Sequence, residues 1–212
     1  GNFNFNGNLK GNVSNPTIDG RATLDSVILS GTNLGSLASN IFVSPDGVTL
    51  TEGTLKERDG GNIAFDVNIP NSGTNNIAIN AKLTDINTGS LLSALPISSI
   101  PDSLKDLQAQ TSGTLNLTGL PNNMQGEANL VAKNGSVQGQ SFDNIESKIL
   151  FSGTRVNVEN FEAKFGSGYL NLKGDYDTNT TAFDFDADGK NVPIPRILTF
   201  LPNNTSLPTF EG

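Results

Sequence analysis

The stretch Gly113–Leu130, GTLNLTGLPNNMQGEANL, has the form of a β-hairpin. Leu115 and Leu117 alternate with polar residues, Pro121-Asn122-Asn123 and the glycines supply turn chemistry, and Ala128 and Leu130 resume the alternation. The same stretch stands near the N-terminus as Gly7–Leu24, GNLKGNVSNPTIDGRATL. Gly113 lies 106 residues after Gly7, and at that offset Leu9 meets Leu115, Ala22 meets Ala128 and Leu24 meets Leu130.

The offset persists along the chain. Ile77 and Ile79 meet Phe183 and Phe185, and Leu91-Leu92-Ser93-Ala94-Leu95-Pro96 meets Ile197-Leu198-Thr199-Phe200-Leu201-Pro202. Small insertions shift the middle, where Val48 and Leu50 fit best with Val156 and Val158. Self-similarity at a fixed period predicts repeated architecture, each copy leaning on its neighbour. The expected units are residues 7–112 and 113–212, one continuous fragment of a longer protein.

Elsewhere, nearly every segment alternates apolar and polar residues, the period of a half-buried strand. Ile63, Phe65, Val67 and Ile69 give the cleanest run, bounded by Asp59-Gly60-Gly61; Pro45-Asp46-Gly47 marks another turn. The second copy places strands at Ile149 and Phe151, at Val156 and Val158, at Phe161, Ala163 and Phe165, at Leu170 and Leu172, and at Phe183 and Phe185. Leu91, Leu92 and Leu95 follow helical spacing, so a short helix is expected over 88–95, with others over Pro101–Leu107 and Pro195–Leu201. The expected fold is all-β: a mostly antiparallel, repeat-built curved sheet, forming a groove or a partly open barrel, with short helices. A closed small barrel satisfies the same one-sided strands.

Composition excludes several functions. The net charge of -8 opposes nucleic acid, whose phosphates need Lys and Arg, and opposes broad adhesion to anionic lipid surfaces. There is no Cys and no His, so disulfides, thiolate metal sites and Ser-His or Cys-His catalysis are out of reach. No apolar run approaches the ~18 residues of a membrane-spanning helix.

Two acidic stretches carry the remaining chemistry. Asp184-Phe185-Asp186-Ala187-Asp188-Gly189 begins like a calcium loop, but the twelfth position is Pro195 instead of Glu, and the interleaved Phe183 and Phe185 make it a strand with its carboxylates in water. Asp175 and Asp177 flank Tyr176 in a turn-like GDYDTN segment, ordinary turn chemistry. Neither a phosphate loop nor a dinucleotide fingerprint is present. The sequence therefore predicts no enzyme activity, no cofactor and no metal.

The pattern G-x-L…G-x-A-x-L at Gly113, Leu115, Gly126, Ala128 and Leu130 resembles the repeats of the AsmA/TamB family of Gram-negative envelope proteins. So does Val156–Gly174, VNVENFEAKFGSGYLNLKG: an alternating strand, a glycine corner and a second strand ending in Lys-Gly. The resemblance covers essentially the whole chain, and its strength lies in the order of motifs found twice. It implies a long apolar β-groove in a periplasmic body, with an inner-membrane anchor on the full-length protein. It also implies a role in phospholipid transport or outer-membrane biogenesis. The implied partners are phospholipid acyl chains and outer-membrane assembly proteins. This chain departs from the family in lacking the anchor.

The candidate groove lining is Ile63, Phe65, Val67, Ile77, Ile79, Val156, Val158, Leu170, Leu172, Phe183 and Phe185. Two alternatives stand beside it: a structural or adhesive β-repeat module whose same residues form a closed core, and a glycan binder or enzyme using surface Asp and Asn.

Overall fold

The computed structural model describes residues 1–71, 76–94, 106–120, 123–137 and 139–192. They form one antiparallel meander: twelve strands in a single unclosed sheet, each neighbour in space also neighbour in sequence, plus one short helix. The strands are β1 (Phe3–Asn12), β2 (Asn15–Leu29), β3 (Thr32–Ser44), β4 (Gly47–Lys56), β5 (Asn62–Pro70) and β6 (Ile77–Asn87). After helix α1 (Thr88–Ala94) come β7 (Gln108–Leu120), β8 (Gln125–Val137), β9 (Gln140–Ser152), β10 (Arg155–Phe165), β11 (Gly168–Asp177) and β12 (Phe183–Lys190). The closed barrel is thus excluded. The expected helices over Pro101–Leu107 and Pro195–Leu201 fall largely or wholly outside the described residues.

Strand positions echo the sequence period. β5 starts at Asn62 and β11 at Gly168, β6 at Ile77 and β12 at Phe183, each pair 106 residues apart. The Gly113–Leu130 hairpin is β7–β8, with Leu115 opposite Ala128 and Leu117 opposite Gly126. Its counterpart in sequence, β1–β2, pairs in a different register: Leu9 stands opposite Ile18, where the offset would set it opposite Ala22.

The sequence reading divides Val156–Val158 from Phe161–Phe165, but both belong to β10. The register slips between Val158 and Phe161, where Glu159 and Asn160 form a bulge. One extra residue reverses the alternation without ending the strand, which in sequence looks like a break. The first half carries a matching bulge between Leu50 and Gly53, with Glu52 at φ 50°.

Two glycines face aromatic residues across the strands. A Cβ at Gly53 would collide with the Phe65 ring, and one at Gly174 would stand 2.7 Å from the ring of Phe185, its cross-strand partner. Gly53 is therefore a seat for an aromatic ring on the neighbouring strand, while at Gly174 the nearest obstacle to a Cβ is the Asp184 carbonyl oxygen.

Helix α1 is fixed at its start. Asn87 caps it, its Oδ1 accepting from the Ser90 N–H at 3.0 Å. The Thr88 hydroxyl lies 2.6 Å from that of Thr111 on β7, tying the helix to the sheet.

Candidate functional site

Cross-strand partners share a face, so the register sorts every side chain. One row passes through Gly7, Gly20, Ile41, Leu50, Val67, Ile79, Leu117, Gly126, Phe151, Val156, Tyr176 and Phe183, one residue per strand. A second unbroken row runs on the same face: Phe3, Leu24, Leu37, Leu55, Ile63, Leu83, Gly113, Leu130, Ser147, Phe161, Leu172 and Ala187. Between them lie Phe65, Ala81, Leu115, Ala128, Ile149, Val158, Gly174 and Phe185. At about 4.8 Å per strand, twelve strands give an apolar band roughly 50 Å long.

The opposite face is mostly polar, with Phe42, Val131 and Leu150 among its few large apolar residues. Asp184, Asp186 and Asp188 project there from β12, opposite Asp175, Lys173 and Asn171. Lys148 and Glu159 form an ion pair, and the hydrogen bond to Glu159 raises the lysine pKa. The 184–189 run is a strand, and among the described residues no group of three or more acidic side chains is placed to hold a metal ion. The Asp175 and Asp177 carboxylates do different work. Asp175 lies 3.7 Å from Arg155 Nε and accepts from the Asn157 amide at 3.1 Å. Asp177 ends β11 and accepts from the backbone N–H of Thr180 and Asn179, which hold its pKa below the usual value.

The apolar face is not uniform along the strands. A fourth row, Ile86, Thr111, Ala132, Ile145, Ala163, Leu170 and Gly189, lies at the α1 end. Ile86 and Ala163 are fully buried and Leu170 is 4% exposed. Within this row Ala132, Ala163 and Leu170 form a packed cluster with Phe142 and Phe165, and Ile145, Phe161 and Leu172 lie on its margin. In the first half Leu34 and Leu55 form a smaller cluster, bordered by Ile63 and Phe65. The row through Val156 is different. Ile41, Leu50, Val67, Ile79, Phe151, Val156 and Tyr176 are half-buried, Phe183 is exposed, and Leu117 is its buried exception.

The eleven candidate lining residues therefore all lie on one face but separate by depth. Leu170 is core, and Ile63, Phe65 and Leu172 border the packed clusters. Val67, Ile77, Ile79, Val156, Val158, Phe183 and Phe185 stand outside them. The sequence reading missed Ile41, Leu50, Phe151 and Tyr176 as lining. Tyr176 was legible: two-residue steps from Leu170 through Leu172 and Gly174 reach it, but the surrounding Asp residues suggested a turn.

Beside α1 lies a cavity of about 370 Å³ lined by Asn33, Leu34, Glu57, Arg58, Asp59, Asn87 and Ser90. Glu57 accepts from the Asn87 N–H at 2.9 Å, yet burial is the larger influence and raises its pKa. This lining is polar, unlike the band.

No family model, curated protein or solved structure matches the chain. No helix among the described residues is long and apolar enough to cross a membrane.

Proposed function

We propose that the half-buried band through Val67, Ile79 and Val156 is a path for phospholipid acyl chains, in a periplasmic lipid-handling protein of the AsmA/TamB type. The observation that carries this is the unbroken apolar row across twelve strands of an unclosed sheet. Each methylene in water costs about 0.8 kcal/mol, so a sixteen-carbon chain faces a barrier of about 13 kcal/mol if it crosses bare. A continuous apolar surface removes most of that barrier. It needs no reactive group, because sliding requires weak, non-directional contacts. The resemblance in the repeats supports the compartment, the inner-membrane anchoring of the full-length protein, and a contribution to outer-membrane biogenesis.

The rival reading, a self-packed structural module, draws its support from the buried Ile86–Leu170 row.

A phospholipid with a photoreactive acyl chain distinguishes the two. Incubated with the purified chain and irradiated, it should label Val67, Ile79 and Val156 and leave Lys148 on the polar face unlabelled. Absence of labelling, or labelling spread equally over both faces, would sink the lipid path.

A further inference from the structure

An acyl-chain path leaves the polar cavity beside α1 unused. Its walls come from three parts of the chain: Asn33 and Leu34 at the start of β3, Glu57, Arg58 and Asp59 after β4, and Asn87 and Ser90 where β6 passes into α1. Each part is held by hydrogen bonds of its own. Asn33 Oδ1 accepts from the Gly35 N–H at 2.9 Å, and Asn87 Oδ1 accepts from the Ser90 N–H at 3.0 Å. The Glu57 N–H donates to the Gly61 carbonyl at 2.8 Å, which closes that loop. Glu57 Oε2 accepts from the Asn87 N–H at 2.9 Å and so joins the second wall to the third. The cavity is therefore shaped before any ligand arrives, and a preformed site spends little on ordering. Its volume of about 370 Å³ lies at the small end of the range for small-molecule sites.

The same bonds fix what the walls can offer. An amide whose oxygen accepts from a backbone N–H has its NH2 group left to donate. Asn33 and Asn87 are both in that state, and among the described residues neither NH2 group has a partner. The Ser90 hydroxyl and the Arg58 guanidinium add donors, while the Glu57 and Asp59 carboxylates supply acceptors.

This mixture selects the ligand chemistry. An anion such as phosphate would meet two carboxylates that already oppose each other: burial raises the Glu57 pKa, and the Asp59 charge adds to that rise. An alkylammonium only donates, so it would shut the amide NH2 groups and Arg58 away from water with nothing to accept from them. A purely apolar ligand would strand every polar group, and Leu34, only 6% exposed, has little surface to give it. A hydroxyl donates and accepts at once, and adjacent hydroxyls can answer both kinds of group together.

We propose that the cavity beside α1 is a sugar-binding site, taking either a free saccharide or the sugar headgroup of a glycolipid. The second source has a place for its tail. Leu34 belongs to the packed cluster bordered by Leu37, Ile63 and Phe65, so the apolar face begins where the cavity ends. The site itself does not depend on the acyl-chain path.

The test is an amide NMR titration of the whole chain. The probes are glucose, galactose and N-acetylglucosamine, then the octyl glycosides of the same sugars below their micelle concentrations, with phosphate and ethylammonium as charge controls. At least one sugar should shift the amides of Asn33, Glu57, Asp59, Asn87 and Ser90 along a saturating curve, and neither control should. Asn33→Asp keeps the oxygen that the Gly35 N–H needs and exchanges the NH2 group for a second oxygen. It should weaken sugar binding roughly tenfold, the worth of one well-placed hydrogen bond, and leave the melting temperature near that of the wild type. An octyl glycoside that binds the cavity roughly tenfold tighter than its free sugar supports the site with a glycolipid as the source; equal affinity supports it with a free saccharide. Octyl glycosides that shift Val67, Ile79 and Val156 but not the cavity would overturn the sugar site and leave the acyl path standing. Cavity amides that ignore every sugar overturn it too, as do saturable binding of phosphate or ethylammonium there and undiminished sugar affinity in Asn33→Asp.

Discussion

Val156 and Leu170 lie on neighbouring strands, on the same face, about six residues apart along the strand direction. Both are branched aliphatics in alternating runs of one hairpin. Yet Val156 is half-buried and Leu170 is almost fully enclosed. The difference comes from what packs around each. Near Leu170 the face meets Phe142, Phe165 and Val192, and farther along the same row Ile86 and Thr111 lie where α1 is tied down. No packed cluster among the described residues includes Val156. One face of one sheet therefore holds a conventional core at one end and a solvent-reachable apolar surface at the other. Stability is expected to reside in the first and function in the second.

Charge separates the two ends most severely. Leu170→Glu buries a carboxylate without a partner, at a cost of several kcal/mol. Circular dichroism should show a chain largely unfolded at room temperature. A folded Leu170→Glu variant with a near-normal melting temperature would mean that the packed end is open too.

A milder intervention loosens α1, which is tied to one end of the Leu170 row at Thr111. Asn87→Ala removes the cap of α1 and should cost about 1 kcal/mol. Amide exchange should quicken first in α1 and around Thr111, while strands at the far end keep their protection. Uniform acceleration along every strand would deny the packed end its separate character.

The smallest expected effect on stability is at Val156. Val156→Glu places the carboxylate where water can solvate it, so the cost should stay within about 1 kcal/mol, the range of strand propensity. The same variant should lose photolabelling by the acyl-chain probe at Val67 and Ile79 as well as at position 156. Unfolding comparable to Leu170→Glu would assign the whole face to core.

Much of this architecture is legible in the residues alone. Alternation marks the strands, Pro45-Asp46-Gly47 and Asp59-Gly60 mark turns, and the 106-residue offset sets the order in which strands recur. Whether the sheet closes is not legible, because closure depends on strand number and stagger, which one chain's alternation does not encode. The split of β10 fails for a local reason: a bulge at Glu159-Asn160 changes which parity points inward. The contrast between Val156 and Leu170 is hidden for a tertiary reason. Both satisfy the same period, and only the side chains packed around each decide which is sealed. The glycines look like turn signals, while Gly53 serves instead to make room for the Phe65 ring within the sheet.

In a meander, each strand's partners are the segments synthesised just before and just after it, so no pairing waits for a distant part of the chain. For a β protein this keeps contacts short-range, which favours rapid folding and lets strands add one at a time as they emerge. It also makes length an adjustable property. Removing β5 and β6, or inserting another hairpin between β6 and β7, would ask the remaining strands to change nothing but their next neighbour, as in a solenoid that gains or loses a coil.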